Sequence, residues 1–318
     1  MTDSMFELTF KAMNTEVKVI ANGTSDQTLL DRIRELFARS EQRFSRFIDS
    51  SELSVLNRDG ELNPASEMML DVLESSLRHF NATNGGFNPT VLDALELAGY
   101  SKSFELIGQN DTQQVAKSST AVNLNEELEI DHTSQQVRTN TRLDLGGIVK
   151  GWTVDHAARL MRSKCLGWLI DAGGDISAGG IAPDSGGWAI GIDDPFSKRN
   201  LIDVIKIDDL AVATSSTVKR SWQAGRTRHH HIIDPQTGRS SSTNIASVSV
   251  IAANAETADV LAKSALIIGE TEAAKLLSDH NAEARFIYND GATTSTNLWP
   301  SILNDQDLPV FASERNLA

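Results

Sequence analysis

The sequence predicts a compact α/β or α+β unit. Strand and helix signals interleave along the chain, and no long linker separates them. From Leu143 onward glycines cluster between short apolar runs, as Gly146-Gly147, Gly151, Gly173-Gly174, Gly179-Gly180 and Gly186-Gly187. There is no low-complexity tract and no fixed-period repeat of the kind that marks solenoids. A chain of 318 residues has room for one large domain or two small ones, at roughly 150 residues each. We expect a single domain over 1–318, divisible at most into lobes of about 1–142 and 143–318.

The elements follow in order. Phe6 to Ala21 alternates weakly and carries Val17, Val19 and Ile20, which predicts one or two strands closed by a turn at Asn22-Gly23-Thr24. Leu29, Leu30, Ile33, Leu36, Phe37, Phe44 and Phe47 recur at helical spacing, so a helix is expected over Gln27 to Phe47. A polar loop is expected from Ile48 to Pro64. Ser66 is an N-cap for a helix through Leu70, Leu73, Leu77 and Phe80 that stops by Asn84-Gly85-Gly86. The polar stretch 101–142 holds strand candidates at Leu128 to Ile130 and Gln136 to Thr139. Beyond it come a helix (Trp152 to Lys164) and strands near Trp168 to Ile170, Trp188 to Ile192, Leu201 to Ile207 and Val248 to Ala252. Helices over Ala258 to Ile268 and Thr271 to Asp279 and a strand at Arg285 to Tyr288 complete the reading.

Composition narrows the partners. Apolar residues make up 40% and charged residues 23%, ordinary for a globular protein. Lys and Arg total 29 against 43 Asp and Glu, a net charge of −14. That argues against nucleic acid or an anionic membrane, both of which select concentrated basic surface. An anionic small ligand remains compatible if loops or a metal supply a local positive field. The lone cysteine, Cys165, excludes an intrachain disulfide and a thiolate metal cluster. The first 30 residues, from Met1-Thr2-Asp3-Ser4 on, carry no basic segment followed by an apolar run, and no stretch of about 18 apolar residues occurs. The expectation is a soluble cytoplasmic protein.

Five clusters can carry chemistry. Asp144-Leu145-Gly146-Gly147-Ile148-Val149-Lys150-Gly151 leads into a helix. Such glycines let backbone N–H groups reach an anion at the positive helix end, with Lys150 adding charge, although a plain strand-to-helix turn has the same look. Asp171-Ala172-Gly173-Gly174-Asp175 places two carboxylates around a glycine turn; it serves a ligand at a sheet edge, or Asp satisfies backbone donors of the turn. Arg226-Thr227-Arg228-His229-His230-His231-Ile232-Ile233-Asp234-Pro235-Gln236-Thr237-Gly238 ends in strong turn chemistry. In a strand His229 and His231 share a face, which suggests either a metal pair or a general base near the turn. Ala213-Thr214-Ser215-Ser216-Thr217 offers hydroxyls to phosphate or caps a following helix. Asp259 and Lys263 stand four apart on a helix and can simply pair.

Taken in this order, the clusters resemble the ApbE-type FAD:protein FMN transferases, also called flavin transferases, from about Met13 to Tyr288. Ala12-Met13-Asn14-Thr15 resembles the family's Met-Gly-Thr opening. Phe44-Ser45-Arg46-Phe47 and Ser51-Glu52-Leu53-Ser54-Val55-Leu56-Asn57 resemble its helix end and loop. Gly86-Phe87-Asn88-Pro89-Thr90 resembles Gly-Phe-Asp-Pro-Thr, Asp144 to Gly151 its Asp-Leu-Gly-Gly-Ile-Ala-Lys-Gly loop, and Thr214-Ser215 its Thr-Ser-Gly. Ala172-Gly173-Gly174-Asp175 is similar to its glycine turn, and His231-Ile232-Ile233-Asp234-Pro235-Gln236-Thr237-Gly238 is the most specific piece.

The resemblance implies a T-fold-like α/β architecture with mixed or antiparallel sheets flanked by helices. It implies that FAD is split, AMP released, and FMN attached by a phosphoester to a Thr hydroxyl of an acceptor flavoprotein, with Mg²⁺ assisting. Carried onto this chain, His231 is the base for the acceptor hydroxyl, and Asp259 is the catalytic metal-holding carboxylate. The carbonyls of Ala262 and Gly147 complete the metal's oxygens. Met13, Phe87, Lys150, Gly173, Gly174, Asp175, Thr214, Ser215, His231, Asp234 and Thr237 line the FAD. Four residues depart from the pattern: Asn14, Asn88, Ser216 and Lys263. Lys263 stands where the family has a metal-ligating Thr; an ammonium cannot ligate, and can touch phosphate instead. The alternatives are an FAD-binding protein without turnover, an FAD pyrophosphatase, and a hydrolase with a transition metal on the His cluster.

Overall fold

Alternating apolar residues build the first hairpin, β1 (Met5–Ala12) and β2 (Thr15–Asn22), in register Ala12 to Thr15. Its two turn residues, Met13 and Asn14, have φ of 52° and 58°. The computed structural model that shows this describes residues 5–24, 26–104, 120–183, 187–197, 200–224 and 227–302. The readings placed on Met1 to Ser4, Gly186, Arg226 and residues 105–119 lie outside the described residues. Next comes α1 (Gln27–Phe44), capped by Asp26 accepting from the Thr28 N–H at 3.1 Å. Then follow α2 (Glu52–Asp59), β3 (Glu61–Leu62), α3 (Glu67–Ala82), a 3-10 turn at Pro89–Val91, α4 (Leu92–Leu97), α5 (Leu124–Glu127), β4 (Leu128–Asp131) and β5 (Gln136–Thr139). The glycine-rich half contributes α6 (Val149–Arg162), β6 (Gly167–Ala172), β7 (Asp175–Gly180), β8 (Trp188–Asp193), β9 (Leu201–Ile207) and β10 (Leu210–Ser216). Two short hairpins follow, β11 (Ser221–Ala224) with β12 (Thr227–His230) and β13 (Ile233–Asp234) with β14 (Arg239–Ser240). The chain continues through β15 (Ile245–Ala252), α7 (Ala255–Ile268), α8 (Glu270–Asp279), β16 (Glu283–Tyr288) and β17 (Thr293–Ser295).

One eight-stranded sheet carries the architecture, in the order β1-β2-β6-β7-β10-β15-β16-β17, with each described pairing antiparallel. Residues alternate between its faces. Val17, Val19, Ile170, Ala172 and Ala211 meet α1 and α6 in one core. Ala213, Val248 and Val250 meet α7 through Ala258 and Leu261 in another. The opposite face, with Ile20, Leu169, Ile176, Val212 and Ile251, is covered by Trp188, Ile190 and Ile205 of the β8–β9 hairpin. A third core gathers α2, α3 and the three-stranded sheet β3-β5-β4 around Leu56, Leu73 and Val137.

The apolar periodicities placed most elements within a few residues, and the differences have local causes. α1 stops at Phe44, short of Phe47, because Ser45 turns to extended backbone at φ −74°, ψ 119°. The expected loop from Ile48 to Pro64 contains α2, which starts on the Ser51 cap and ends at Gly60 with φ 75°. The hydroxyl cluster at 213–217 caps no helix: through Ser216 it continues β10, and Ser216 Oγ donates to the Ala246 carbonyl at 3.0 Å.

Candidate active site

The glycine loop before α6 is pinned from several sides. Asn57 bonds both the Leu143 carbonyl (2.9 Å) and the Leu143 N–H (2.8 Å). Asp144 accepts from the Gly146 N–H at 3.0 Å and from Arg46 Nε at 2.8 Å. Arg46 also donates to the Tyr100 carbonyl at 2.7 Å and lies over the Phe47 and Tyr100 rings. α6 then starts with no side-chain cap at Ile148. The Ile148 and Val149 N–H groups donate to the Leu145 carbonyl at 3.1 and 3.0 Å, which leaves the Lys150 and Gly151 amides of the first turn and its positive end to a ligand or water.

The second glycine turn joins β6 to β7. Asp171 accepts from the Gly174 N–H at 2.8 Å, and the glycines take φ of 64° and 92°. A side chain at Gly173 would place its Cβ 2.0 Å from Thr15 Oγ1, so this turn sits directly against the end of the Met13-Asn14 turn. Lys150, in the first turn of α6, reaches across to Asp175 Oδ2 at 2.6 Å and to the Ala172 carbonyl at 3.4 Å.

α7 delivers the third part. Asn254 caps it, and Asp155 of α6 accepts from the Ala255 and Glu256 N–H groups at 2.8 and 2.9 Å. The helices cross at Gly151, where a Cβ would lie 2.6 Å from the Ala255 carbonyl oxygen. Lys263 Nζ donates to Asp259 Oδ1 and to the Gly147 carbonyl, each at 3.0 Å. A Cβ on Gly147 would come within 3.0 Å of that nitrogen and 3.4 Å of the Phe87 ring. Asp259 Oδ2 is buried with no hydrogen-bond partner.

The predicted residues therefore separate into groups. Gly147, Lys150, Gly173, Gly174, Asp175, Asp259 and Lys263 form one constellation, with Phe87 beside Gly147. Met13 packs against two cores beside it. Ser215 is buried on the α7 face of β10, whereas Thr214 faces the other side and shares a 2.8 Å hydrogen bond with Ser249. Ala262 is an interior residue of α7 packed into the core. Asp234 and Thr237 hydrogen-bond one another at 3.0 Å, and Asp234 also accepts from the Gln236 N–H, so these contacts close on their own turn. The three imidazoles go separate ways. The His229 ring stacks on Trp222, His230 Nε2 faces the Ser241 carbonyl at 3.1 Å, and His231 Nδ1 faces the Arg220 carbonyl at 3.4 Å. Among the described residues no three His, Cys, Asp or Glu side chains gather as a metal cluster, so His229 and His231 have no third such ligand beside them.

Electrostatics ties the constellation together. Burial, and then the charge of Asp259, push Asp175 up to about 6, against the pull of Lys150 and Lys263. Burial likewise raises Asp171 to about 6, although the Gly174 N–H opposes it. His231 keeps some exposed surface, yet dense packing around its ring holds its pKa well below 6.5; the charges of Arg220 and Lys263 add to the effect. His231 is thus neutral at physiological pH, and it stands within the field of Lys263. The tautomer protonated on Nδ1 serves the Arg220 carbonyl and leaves Nε2 as the acceptor.

Sequence reasoning missed three positioning groups. Arg46 and Asn57 sat inside quoted motifs, but nothing local showed that they hold the loop 86 or more residues away. Asp155 looked like an ordinary helix residue until α7 was seen to begin on it.

The profile of the ApbE family matches residues 13–286, and the chain belongs to that family. It is similar to the FAD:protein FMN transferase of Escherichia coli K12, 27% identical over 298 residues, covering 91% of this chain and 82% of the relative. It is also similar to the FAD:protein FMN transferase of Vibrio cholerae O1, 29% identical over 258 residues, covering 79% of this chain and 75% of the relative. The crystal structure of the ApbE protein from Thermotoga maritima superposes with a TM-score of 0.81 at 26% identity, covering 92% of this chain and 97% of that one. Flavin transferase ApbE from Vibrio cholerae shares the fold, with a TM-score of 0.73 at 24% identity over 96% and 99% of the two chains. No described helix is long and apolar enough to cross a membrane.

Proposed function

We propose that the chain transfers the FMN half of FAD to a Thr hydroxyl of an acceptor flavoprotein and releases AMP. The observation that carries this reading is the likeness to relatives named FAD:protein FMN transferase over 91% of the chain. The constellation suits that chemistry, because a diphosphate needs cations and backbone donors on its oxygens. Lys150 and the glycine turns at 146–147 and 173–174 face the diphosphate. Met13, Phe87, Ser215 and the Asp234 to Thr237 turn complete the surroundings of the dinucleotide, while Thr214, on the other face of β10 and bonded to Ser249, stands apart from them.

In the reaction, the acceptor hydroxyl oxygen bonds to the FMN-side phosphorus. The bond from that phosphorus to the bridging oxygen breaks, and AMP leaves with that oxygen. The hydroxyl proton goes to Nε2 of His231, a base whose neutrality is secured by its low pKa.

No step here runs through Mg²⁺, because the residues present do not fit it. Lys263 already bonds the two oxygens, of Gly147 and Asp259, that the ion would share. A dication about 4 Å from that ammonium would be repelled by about 8 kcal/mol at an effective dielectric constant of ~20. Asp259 Oδ2, buried and unpartnered, is a single oxygen, far short of a hard cation's usual six. We place the reaction in the cytoplasm, a setting compatible with the single thiol of Cys165.

The test is incubation with FAD and an acceptor domain carrying a surface Thr. Covalent flavin fluorescence on a denaturing gel, with one AMP released per flavin attached, is the expected result. FMN and AMP without covalent flavin would make the protein a pyrophosphatase, and bound FAD without turnover would make it a carrier.

A further inference from the structure

We propose that Lys263 is a tethered cation standing where a divalent ion would bridge Gly147 and Asp259, and that with Lys150 it binds the FAD diphosphate without metal. The proposal rests on the flavin-transferase reading for the identity of the ligand; the arrangement of the two lysines stands apart from it.

The two lysines are built alike. Lys150 comes from α6 and bonds one carboxylate, Asp175, and one backbone carbonyl next to a glycine turn, Ala172. Lys263 comes from α7 and bonds one carboxylate, Asp259, and the carbonyl of Gly147 within the other glycine turn. An ammonium has three N–H donors. In each lysine two of them are directed at these oxygens, and the third is left for a ligand. The side chains are 18% and 19% exposed, so each is held from below and reachable from outside.

The surroundings favour an anion over a further cation. The two ammonium charges offset Asp175 and Asp259, the third carboxylate, Asp171, is turned onto the Gly174 N–H, and the start of α6, with no side-chain cap, contributes its positive end. An incoming diphosphate meets two charged donors and the Lys150 and Gly151 amides, which no backbone carbonyl takes up. An incoming Mg²⁺ meets the Lys263 ammonium on the oxygens it would need. Gly147 keeps the position clear, since a Cβ there would sit 3.0 Å from the Lys263 nitrogen. The spacing of the two charges is set by the α6–α7 crossing at Gly151 and Ala255.

In the transfer step, the phosphate of AMP gains negative charge as the bond to the bridging oxygen breaks. The third N–H groups of Lys150 and Lys263 take up that charge, which in other arrangements a dication neutralises. No proton is transferred by either lysine.

The test separates ligand, metal and acceptor. Binding of FAD by the intact protein is followed by quenching of flavin fluorescence, without any acceptor, in EDTA and in Mg²⁺. Metal binding is followed separately by electron paramagnetic resonance of Mn²⁺. The wild type should bind FAD equally in both buffers, within about twofold, and hold no Mn²⁺. Lys263→Thr should lose about tenfold or more in FAD affinity in EDTA, the worth of one charge-assisted hydrogen bond, and should bind Mn²⁺ and regain affinity with Mg²⁺. Lys263→Met, which removes the charge with little change of shape, should lose the same affinity. Stoichiometric Mn²⁺ on the wild type, or loss of FAD binding in EDTA, overturns the proposal without any variant. So does undiminished FAD binding by both folded variants in EDTA. Metal-free FAD binding that yields no covalent flavin upholds the proposal and strikes only the transferase reading. A wild type that binds no FAD in either buffer overturns both.

Discussion

His231 owes its chemistry to its neighbours. Packing and the charges of Arg220 and Lys263 keep the ring neutral well below pH 6.5, so it can accept a proton across the physiological range. His231→Ala should lower the rate of flavin transfer by about 10²–10⁴ while FAD affinity stays within about tenfold. A fully active variant would remove His231 from the reaction. Lys150 answers to a different balance, since it neutralises Asp175 at the bottom of the site, where only 3% of the carboxylate side chain is exposed. Lys150→Met strands that charge beside Asp259 and should destabilise the fold by about 3–5 kcal/mol at pH 8, read by denaturant unfolding. Asp175 carries a proton below about 6, so the loss should shrink at pH 5; an equal loss at both values would refute this account. Among single residues, the sequence singles out Lys150 and His231 as candidates because each lies in a local pattern of turn and charge. The partner of Lys263 was not legible, since Gly147 lies 116 positions away and only folding brings it near.

At the scale of elements, the contact between α6 and α7 decides where the charged groups stand. Gly151 lets the α6 backbone touch that of Ala255 and Glu256, and a methyl there would overlap main-chain atoms at 2.6–2.7 Å. Gly151→Ala should therefore cost about 1–3 kcal/mol in stability and weaken FAD binding, because it pushes apart the helices that carry Lys150 and Lys263. Calorimetry would sink this if the variant melted like the wild type. Elements with a strong apolar stripe were legible. α1 buries Leu29, Leu30, Ile33 and Phe37 at helical spacing, and α3 starts on Ser66 as expected. α2 escaped notice because it buries only Leu53 and Leu56 among polar residues. β7 was hidden by its glycines and β10 by its hydroxyls, although their pairing supports the centre of the sheet. The departures from the family pattern also find causes here. Asn14 accepts φ 58°, as Asn tolerates, and the Asn88 amide donates to the Val122 carbonyl at 2.9 Å, a bond that a carboxylate could not make.

The whole molecule, with a net charge of −14, repels itself at neutral pH. Asp171 and Asp175 add to that cost. Each keeps its proton up to about 6 in the folded chain, against 3.8 when unperturbed. The folded state thus binds more protons between those values, and unfolding becomes harder as pH falls through that window. Denaturant midpoints should rise from about pH 7.5 to about pH 5, with roughly 1 kcal/mol from each carboxyl. A steady decline over that interval would show that the two groups are ionised like ordinary aspartates. The sheet also acts as a partition. Ala213 looks toward α7, while Val212 and Thr214 look toward the layer of Trp188 and Ile190. Consecutive positions along β10 are in effect separate compartments, so the hydrophobic backing layer can drift in composition while the ionic chamber on the other side stays insulated from it.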